Sequence, residues 1–406
     1  MIRRIFLGLL AVVVLATAAF FIFAPGIADR NMNVVDGKPL PEISDEARAL
    51  HATLTIVDLH SDTLLWKRDM LDENDYGHMD LARLREGNVA LQVFSSVTKT
   101  PENQNYDSNS ADGDNVTLLV VGQLQPVRTW NSLLERSLFH AQKLDDAAAR
   151  AGNDLLFVKS TEDVEGLLEL RSGDSGDMWE RPIGGLFSAE GLHSLEGDIG
   201  NLEVLYGAGM RMAGLTHFFD NELAGSMHGE EKGGLTDFGR TVVREMEEMG
   251  MIVDIAHCSP TCVTEVLAMS RRPVVSSHGG VQATCDVNRN LSDEHIRGVA
   301  ATGGIIGIGY WEGAVCDTSP AAIAAAMKHV RDLVGIEHVA LGSDYDGSVT
   351  VRFDTAGLVH VTQALMEAGF TDEEIRAAMG GNAIRVISEG LVPLSEIPAP
   401  AQSEEG

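Results

Sequence analysis

Nine short apolar runs rich in β-branched residues, spaced along the chain with helical patterns between them, constrain this sequence more than any other feature. They are 54–58 "LTIVD", 90–95 "ALQVFS", 155–158 "LLFV", 184–189 "GGLFSA", 211–216 "RMAGLT", 251–256 "MIVDIA", 273–277 "PVVSS", 304–309 "GIIGIG" and 338–343 "HVALGS". Between two of them, "LTDFGRTVVREMEEMG" places Leu235, Phe238, Val242, Met246 and Met249 at steps of three or four, the period of an amphipathic helix, and Gly250 is placed to stop it. Strand, helix, strand in repeated order implies a parallel sheet. Eight such units in about 340 residues predict a TIM-type (β/α)8 barrel, with a doubly wound α/β sheet as the alternative. Nine candidates for eight places leave one run over.

The polar residues fall at the ends of these runs. His60 and Asp62, Glu190, His217, His257, His278 and Asp344 each follow an apolar run. In a barrel the C-terminal strand ends meet on one face, where catalytic groups gather. The chain has 13 His, so one or two at strand ends are expected by chance, whereas four His and three carboxylates are not. Residues i and i+2 of a strand point the same way, so His60 and Asp62 are placed to share one metal ion. Glu190, through its two oxygens, is placed to bridge to a second ion held by His257 and His278, as in two-metal hydrolases.

Residues 1–24 form another unit. Arg3 and Arg4 precede an uncharged run from Ile5 to Ala24, long enough to cross a ~30 Å hydrocarbon layer. The charge distribution puts the N-terminus in the cytoplasm and the rest outside it, periplasmic if the source is bacterial. An uncleaved transmembrane anchor is favoured over a signal sequence. Residues 25–50 then read as a linker, 51–391 as the barrel domain, and the Pro-rich acidic stretch 392–406 as a mobile tail.

A formal charge of −30 excludes a nucleic-acid partner, which needs clustered Lys and Arg. The same charge repels an anionic substrate, so such a substrate needs a local cation. Residues 98–125 are polar and turn-rich, the pattern of a loop inserted beside the barrel mouth. The acidic clusters at 72–80 and 173–180 lack EF-hand spacing and read as solvated loops. Cys258, Cys262, Cys285 and Cys316 are too few for a disulfide scaffold. They read best as small buried side chains, with pairing left open.

The ordered motifs "DLHSDT", "FSAEG", "LTHFFDNELAG", "DIAHCS", "VVSSHGG", "DVNRNLSDEHI" and "LGSDYDG" resemble the membrane dipeptidase (renal dipeptidase) family of zinc peptidases. The resemblance runs from about residue 54 to about 388. It implies a (β/α)8 barrel that cleaves dipeptides with two Zn2+ per chain, bridged by Glu190 and a water or hydroxide. His60, Asp62 and Glu190 would hold the first zinc, and Glu190, His257 and His278 the second. His217, Arg289 and Asp344 would surround the substrate, and a homodimer is possible. In that setting His217 suits hydrogen bonding to a developing oxyanion. Arg289 suits a clamp on the substrate carboxylate. Asp344, with Asp346 a weaker candidate, suits proton transfer or holding of the substrate ammonium. Tyr310 is expected to line the pocket or to pack behind it. Two other functions stay open, an amidohydrolase acting on an N-acyl amino acid, lactone or cyclic amide, and a non-catalytic surface binding protein.

Overall fold

All nine runs form strands in the computed structural model, which describes residues 2–172 and 181–397. Eight of them are barrel staves: β1 (Ile56–Ser61), β2 (Val89–Phe94), β3 (Ile183–Ala189), β4 (Met210–Gly214), β5 (Ile252–Asp254), β6 (Val275–Ser276), β7 (Ile305–Ile308) and β8 (Val339–Leu341). Each pairs in parallel with the next, and Leu341 of β8 pairs with Asp58 of β1, which closes the ring. The ring of eight is closed and leaves none of its own strands as an edge.

The run left over, Leu155–Val158, is a strand without a stave's place. Gly184–Leu186 of β3 pair with β2 on one side and with this extra strand on the other, while Phe187–Ala189 pair onward to β4. The extra strand is therefore wedged beside the first half of β3. Length and composition do not distinguish it from the staves, and only the pairing does.

Buried positions explain why the staves read as unbroken apolar runs. Every stave is buried along its whole length, with helices on its outer face. One apolar cluster draws Val57, Leu91, Leu186, Met212, Ile252 and Ile305 from inside the ring, with Ala383, Val386 and Ile387 of the helix Asn382–Gly390 closing its lower end. The predicted helix spans Asp237–Met249, its start capped by Thr236 accepting from the Gly239 amide and its end turned by Gly250 at φ 73°. Val242 and Met246 are buried on its inner face.

Residues 25–50 carry more structure than a linker. The N-terminal helix runs Ile2–Met32, through Pro25, and Val34–Val35 pair with Thr350–Val351. Asp29 near its end is buried and accepts from Arg68 Nε at 2.9 Å, while Arg68 Nη2 reaches Asp346 Oδ1 at 2.5 Å. Asp346 also accepts from Thr63 Oγ1 and the His78 amide, each at 2.7 Å. This buried strut joins the N-terminal helix to the loops after β1 and β8. The acidic cluster 72–80 is solvated over its first half, where Asp72, Glu73 and Asp75 are exposed and Asp75 pairs with Arg30, and tied down at its end, where buried Asp80 caps the helix Leu81–Glu86 and pairs with Arg83. The cluster 173–180 and tail residues 398–406 lie outside the described residues. Cys285 and Cys316 form a disulfide, whereas Cys258 and Cys262 are buried and free, the latter two with sulfurs 2.8 Å apart.

Because Arg68 is the one cation between two buried carboxylates, Arg68→Ala is expected to destabilise the fold by about 3–5 kcal/mol, the loss seen when one member of a buried pair is removed. A thermal midpoint within a degree of the parent would show that the strut is not structural.

Candidate metal centre and active site

The strand ends converge as parallel closure requires. His60 lies in β1 and Asp62 just after it; Glu190 follows β3 directly; His217, His257 and Asp344 lie three residues beyond β4, β5 and β8; His278 lies two beyond β6. All seven are buried. His257 (φ 63°) and Asp344 (φ 61°) adopt the left-handed backbone conformation, which is uncommon for these residue types and concentrates at functional sites. Each turn aims its side chain back toward the mouth.

Glu190 is the focus. Its Oε1 stands 2.7 Å from His257 Nε2, 3.1 Å from His278 Nε2 and 3.7 Å from His60 Nε2, and its Oε2 stands 3.2 Å from His217 Nε2. His60 Nε2 is also 3.4 Å from Asp62 Oδ1 and 3.9 Å from Asp344 Oδ1. Donor atoms around a tetrahedral zinc at ~2.0–2.1 Å stand about 3.3 Å apart, so these spacings suit a common cation. His60 Nε2 and Asp62 Oδ1 are buried with no hydrogen-bond partner. That is costly for polar atoms unless an ion takes the place of the partner. The residues present therefore fit a metal centre. His60, Asp62 and Glu190 form one candidate metal group, and His217 and Asp344 fall in neighbouring ones.

Strand carboxylates set this geometry. Asp58 Oδ1 accepts from the Ser343 amide (2.9 Å) and the His60 amide (3.3 Å), which pins β1 to the loop after β8. Asp254 accepts from the Ser277 amide and hydroxyl (2.9 and 2.5 Å), and that hydroxyl faces His278 Nδ1 at 2.9 Å. Since the Ser277 hydroxyl donates to Asp254, it accepts from His278 Nδ1–H, which leaves Nε2 bare toward Glu190. This is the usual way an outer partner fixes a ligating imidazole. Neither Asp58 nor Asp254 was singled out from sequence. Their position two or three residues before a strand-end His is the signal that marks them.

A cavity of about 580 Å3 opens over these groups, lined by Asp62, Glu190, His217, His257, Arg289 and Asp344. Arg289 is buried, donates from Nη2 to the His278 carbonyl at 2.9 Å and lies 5.5 Å over the Trp311 ring, while its Nε is unpartnered. Tyr310 does not line the cavity. It packs between Tyr345 and Phe353 behind the site, and Trp311, the next residue, takes the lining position. Asp346 faces the Arg68 strut, away from Asp344's work. The insertion 98–125 does stand at the mouth. Its Tyr106 hydroxyl accepts from Trp311 Nε1 at 3.0 Å and its carbonyl from Asn288, next to Arg289. Phe218 lines the cavity and stacks on His228 at 4.5 Å. Tyr106, Phe218 and Trp311 escape sequence reading because an aromatic near a strand end looks like any core aromatic.

A profile of the membrane dipeptidase family, peptidase family M19, matches residues 44–392. The chain belongs to that family. Among curated relatives it is 29% identical over 360 residues to dipeptidase aclJ of Aspergillus oryzae, covering 82% of this chain and 78% of that protein. It is 29% identical to dipeptidase verJ of Clonostachys rogersoniana over 361 residues, 84% and 86% of the two chains. Solved structures share the fold at 19% identity. They include the probable dipeptidase PvdM of Pseudomonas aeruginosa (TM-score 0.69; 85% of this chain and 97% of that one). A second is a metallo peptidase of Rhodobacter sphaeroides solved with a phosphinate mimic of L-Ala-D-Ala (TM-score 0.66; 83% and 99%). The protein is thus an M19 metallodipeptidase, and enzymes of this family depend on metal.

The electrostatics of the metallodipeptidase site give metal dependence a physical cause. Burial, reinforced by Asp346, holds the Asp62 carboxyl well above its ordinary range. Burial and the Asp62 charge do the same to Glu190, and burial chiefly pushes Asp344 up to about 8. Burial first, then neighbouring Arg289 and imidazoles, hold His257 and His278 well below 6.5. Burial and His193 act in the same direction on His217. Three carboxylates crowded out of water need a cation.

The signs predict a pH response. A carboxyl raised in the fold contributes stability that is complete below its ordinary value of 3.8 and is lost as pH rises toward the folded value, about 8 for Asp344. The lowered histidines act oppositely, but only below 6.5. Between pH 6.5 and 8 the carboxyls act alone within the site; burial lowers Lys143 to about 7, which acts oppositely but equally in chelated and metal-loaded protein. The thermal midpoint of chelated protein is therefore expected to fall relative to that of metal-loaded protein across the window, with the gap widest at the alkaline end. A gap that stays constant or narrows with rising pH would refute this account.

Proposed function

We propose that the chain is a zinc-dependent dipeptidase tethered in a membrane by its N-terminal helix, with the barrel outside the cytoplasm. The observation that carries the reading is the convergence of His60, His257 and His278 Nε2 on Glu190 Oε1 at 3.7, 2.7 and 3.1 Å, with Asp62 alongside. His60, Asp62 and Glu190 would hold one zinc, and Glu190, His257 and His278 the other. Zinc bound there supplies Lewis acidity and a water ionised near neutral pH.

The chain's own groups supply the rest. Arg289, with an unpartnered Nε, binds the substrate's C-terminal carboxylate, the local cation that a −30 chain requires. A neutral His217 carries one ring proton, for which the Lys99 carbonyl, 3.4 Å from Nδ1, competes; with the proton on Nε2, the nitrogen nearest Glu190, the ring would donate to the scissile carbonyl oxygen as its negative charge grows. Asp344, poised near neutrality, passes a proton to the leaving amine or holds the substrate ammonium.

Two features support the location. The helix Ile2–Met32 is apolar enough to cross a bilayer, with Arg3 and Arg4 at its start. The Cys285–Cys316 disulfide suits a compartment that does not reduce thiols.

The test is a substrate panel on the detergent-solubilised full chain with zinc supplied. It should include L,L and L,D dipeptides, among them L-Ala-D-Ala, and their C-terminal amides. Hydrolysis of some dipeptides is expected, lost on chelation, with close to two zinc per chain. Inactivity across the panel while zinc is bound would sink the reading. Arg289→Ala should raise KM about 10–100-fold for free dipeptides, the weight of a charge-assisted hydrogen bond of ~1.5–3 kcal/mol. It should leave the amides nearly unchanged. An equal rise for both would remove Arg289 from the clamp and favour an amidohydrolase with no carboxylate requirement.

A further inference from the structure

We propose that the catalytic mouth rests on the bilayer, with the helix Asn115–Gly122 and the turn after it seated in the lipid interface beside the N-terminal helix, so that the substrate cavity opens at headgroup depth. The inference rests on reading Ile5–Ala24 as a membrane span.

A contact between the span and the barrel domain fixes the depth. A Cβ added at Gly122 would lie 3.9 Å from the Phe20 ring. Phe20 lies four residues before Ala24, where the apolar run gives way to Pro25 and Gly26, about 6 Å at 1.5 Å per helical residue, and the first charge beyond it is Asp29. Interfacial helices bury their apolar faces ~5–10 Å into the headgroup and acyl boundary. If the run spans, Asn115–Gly122 is held at that level by its neighbour. Buried Asp29, paired with Arg68, stops the span from swinging away from the barrel.

The composition of the surface at that level agrees. Asn115–Gly122 reads "NVTLLVVG", without a charge. Leu118 is 77% exposed, Leu124 60% and Val127 71%, and Leu118 and Val127 are the most exposed large apolar residues among the described residues outside the N-terminal helix. Clustered exposed apolar residues mark a surface meant to be covered. Lipid is the occupant argued for, because the patch continues from a helix already placed in lipid. Charge cannot be what holds it there, since a chain of net −30 is repelled by anionic headgroups. Exposed Lys67 reaches the Phe21 carbonyl at 3.4 Å, the position of an ammonium at the headgroup boundary.

The cavity extends to this level. Its wall includes Phe20, Ala24 and Ala28 of the N-terminal helix and Leu118, Leu119 and Gly122 of the neighbouring one, continuous with Glu190 and Asp344. One side of the substrate pocket is therefore built from the membrane anchor.

The experiment places single environment-sensitive fluorophores, through introduced cysteines, at Leu118, Leu124 and Val127 of the full chain. Further labels go at Val13 inside the run and at Leu170 on the helix Thr161–Ser172, which packs beside the helix closing the opposite end of the barrel. Unlabelled-site protein is the blank. In phosphatidylcholine vesicles carrying a nitroxide lipid, labels at 13, 118, 124 and 127 should shift to the blue and be quenched, and the label at 170 should do neither. If 13 is quenched while 118, 124 and 127 behave like 170, the mouth stands clear of lipid and the inference fails with the span intact. Loss of quenching at 13 overturns the span and the inference with it. A blue shift at 118, 124 and 127 without quenching means protein covers the patch, as a second copy would, and also overturns it.

Discussion

The carboxylate of Glu190 is the point on which the rest of the molecule depends. Four imidazole nitrogens lie within 3.7 Å of its two oxygens. Asp62 and Asp344 face the same His60 nitrogen. Three buried carboxylates repel one another and have lost their water, and Arg289 alone is a single positive charge against three. Such a cluster persists only if the scaffold holding it is stiffer than the repulsion is strong, or if cations occupy it. A closed ring of eight parallel strands offers the first, and the bare nitrogens and unpartnered oxygen prepare the second.

The stiffness has a specific form here. Asp58 and Asp254 lie within strands, where an apolar side chain would be expected; Asp58 Oδ1 accepts from the His60 amide of its own strand and the Ser343 amide of the loop after β8, and Asp254 accepts from the Ser277 amide and hydroxyl after β6. Each ties a strand to the loop that carries another ligand or substrate group. Asp58 joins the His60 strand to the loop of Asp344, and Asp254 joins the strand before His257 to the residue before His278. The groups at the mouth are thereby positioned by hydrogen bonds that do not depend on a metal. The left-handed turns at His257 and Asp344 are affordable inside such a frame.

Much of this was legible in the sequence, for one reason. Parallel strands bury both faces, so they stand out as unbroken apolar runs, and a polar residue at the end of a run has few explanations other than chemistry. His60, Asp62, Glu190, His217, His257, His278 and Asp344 were readable on that basis. What was not readable lacked this contrast. Leu155–Val158 is a strand by every local measure, and its exclusion from the ring is decided by which edge of β3 is free. Asp58 and Asp254 hide inside runs that they interrupt by one residue. Tyr310 and Trp311 are adjacent, and only the turn after β7 decides which one reaches the cavity. Residues 25–50 looked like a linker because their ties to Arg68, Gln363 and Thr350 are long-range and leave no periodic trace.

Asp344 and Asp346 carry the last step. They are the same residue type, two positions apart, both in the left-handed region at φ 61° and 63°, and their environments assign them opposite work. Asp344 faces His60 with its proton held to about 8, whereas Asp346 is locked to Arg68, His78 and Thr63. Through Arg68 and Asp29 the second aspartate ties the end of the N-terminal helix to the loop that carries the first. The N-terminal helix and the loop of Asp344 are therefore one mechanical unit. A chain cut just before Asp29 would keep the strut but lose Phe20, Ala24, Pro25 and Ala28 from the cavity wall, so removing the helix opens the very cavity over Glu190 and Asp344.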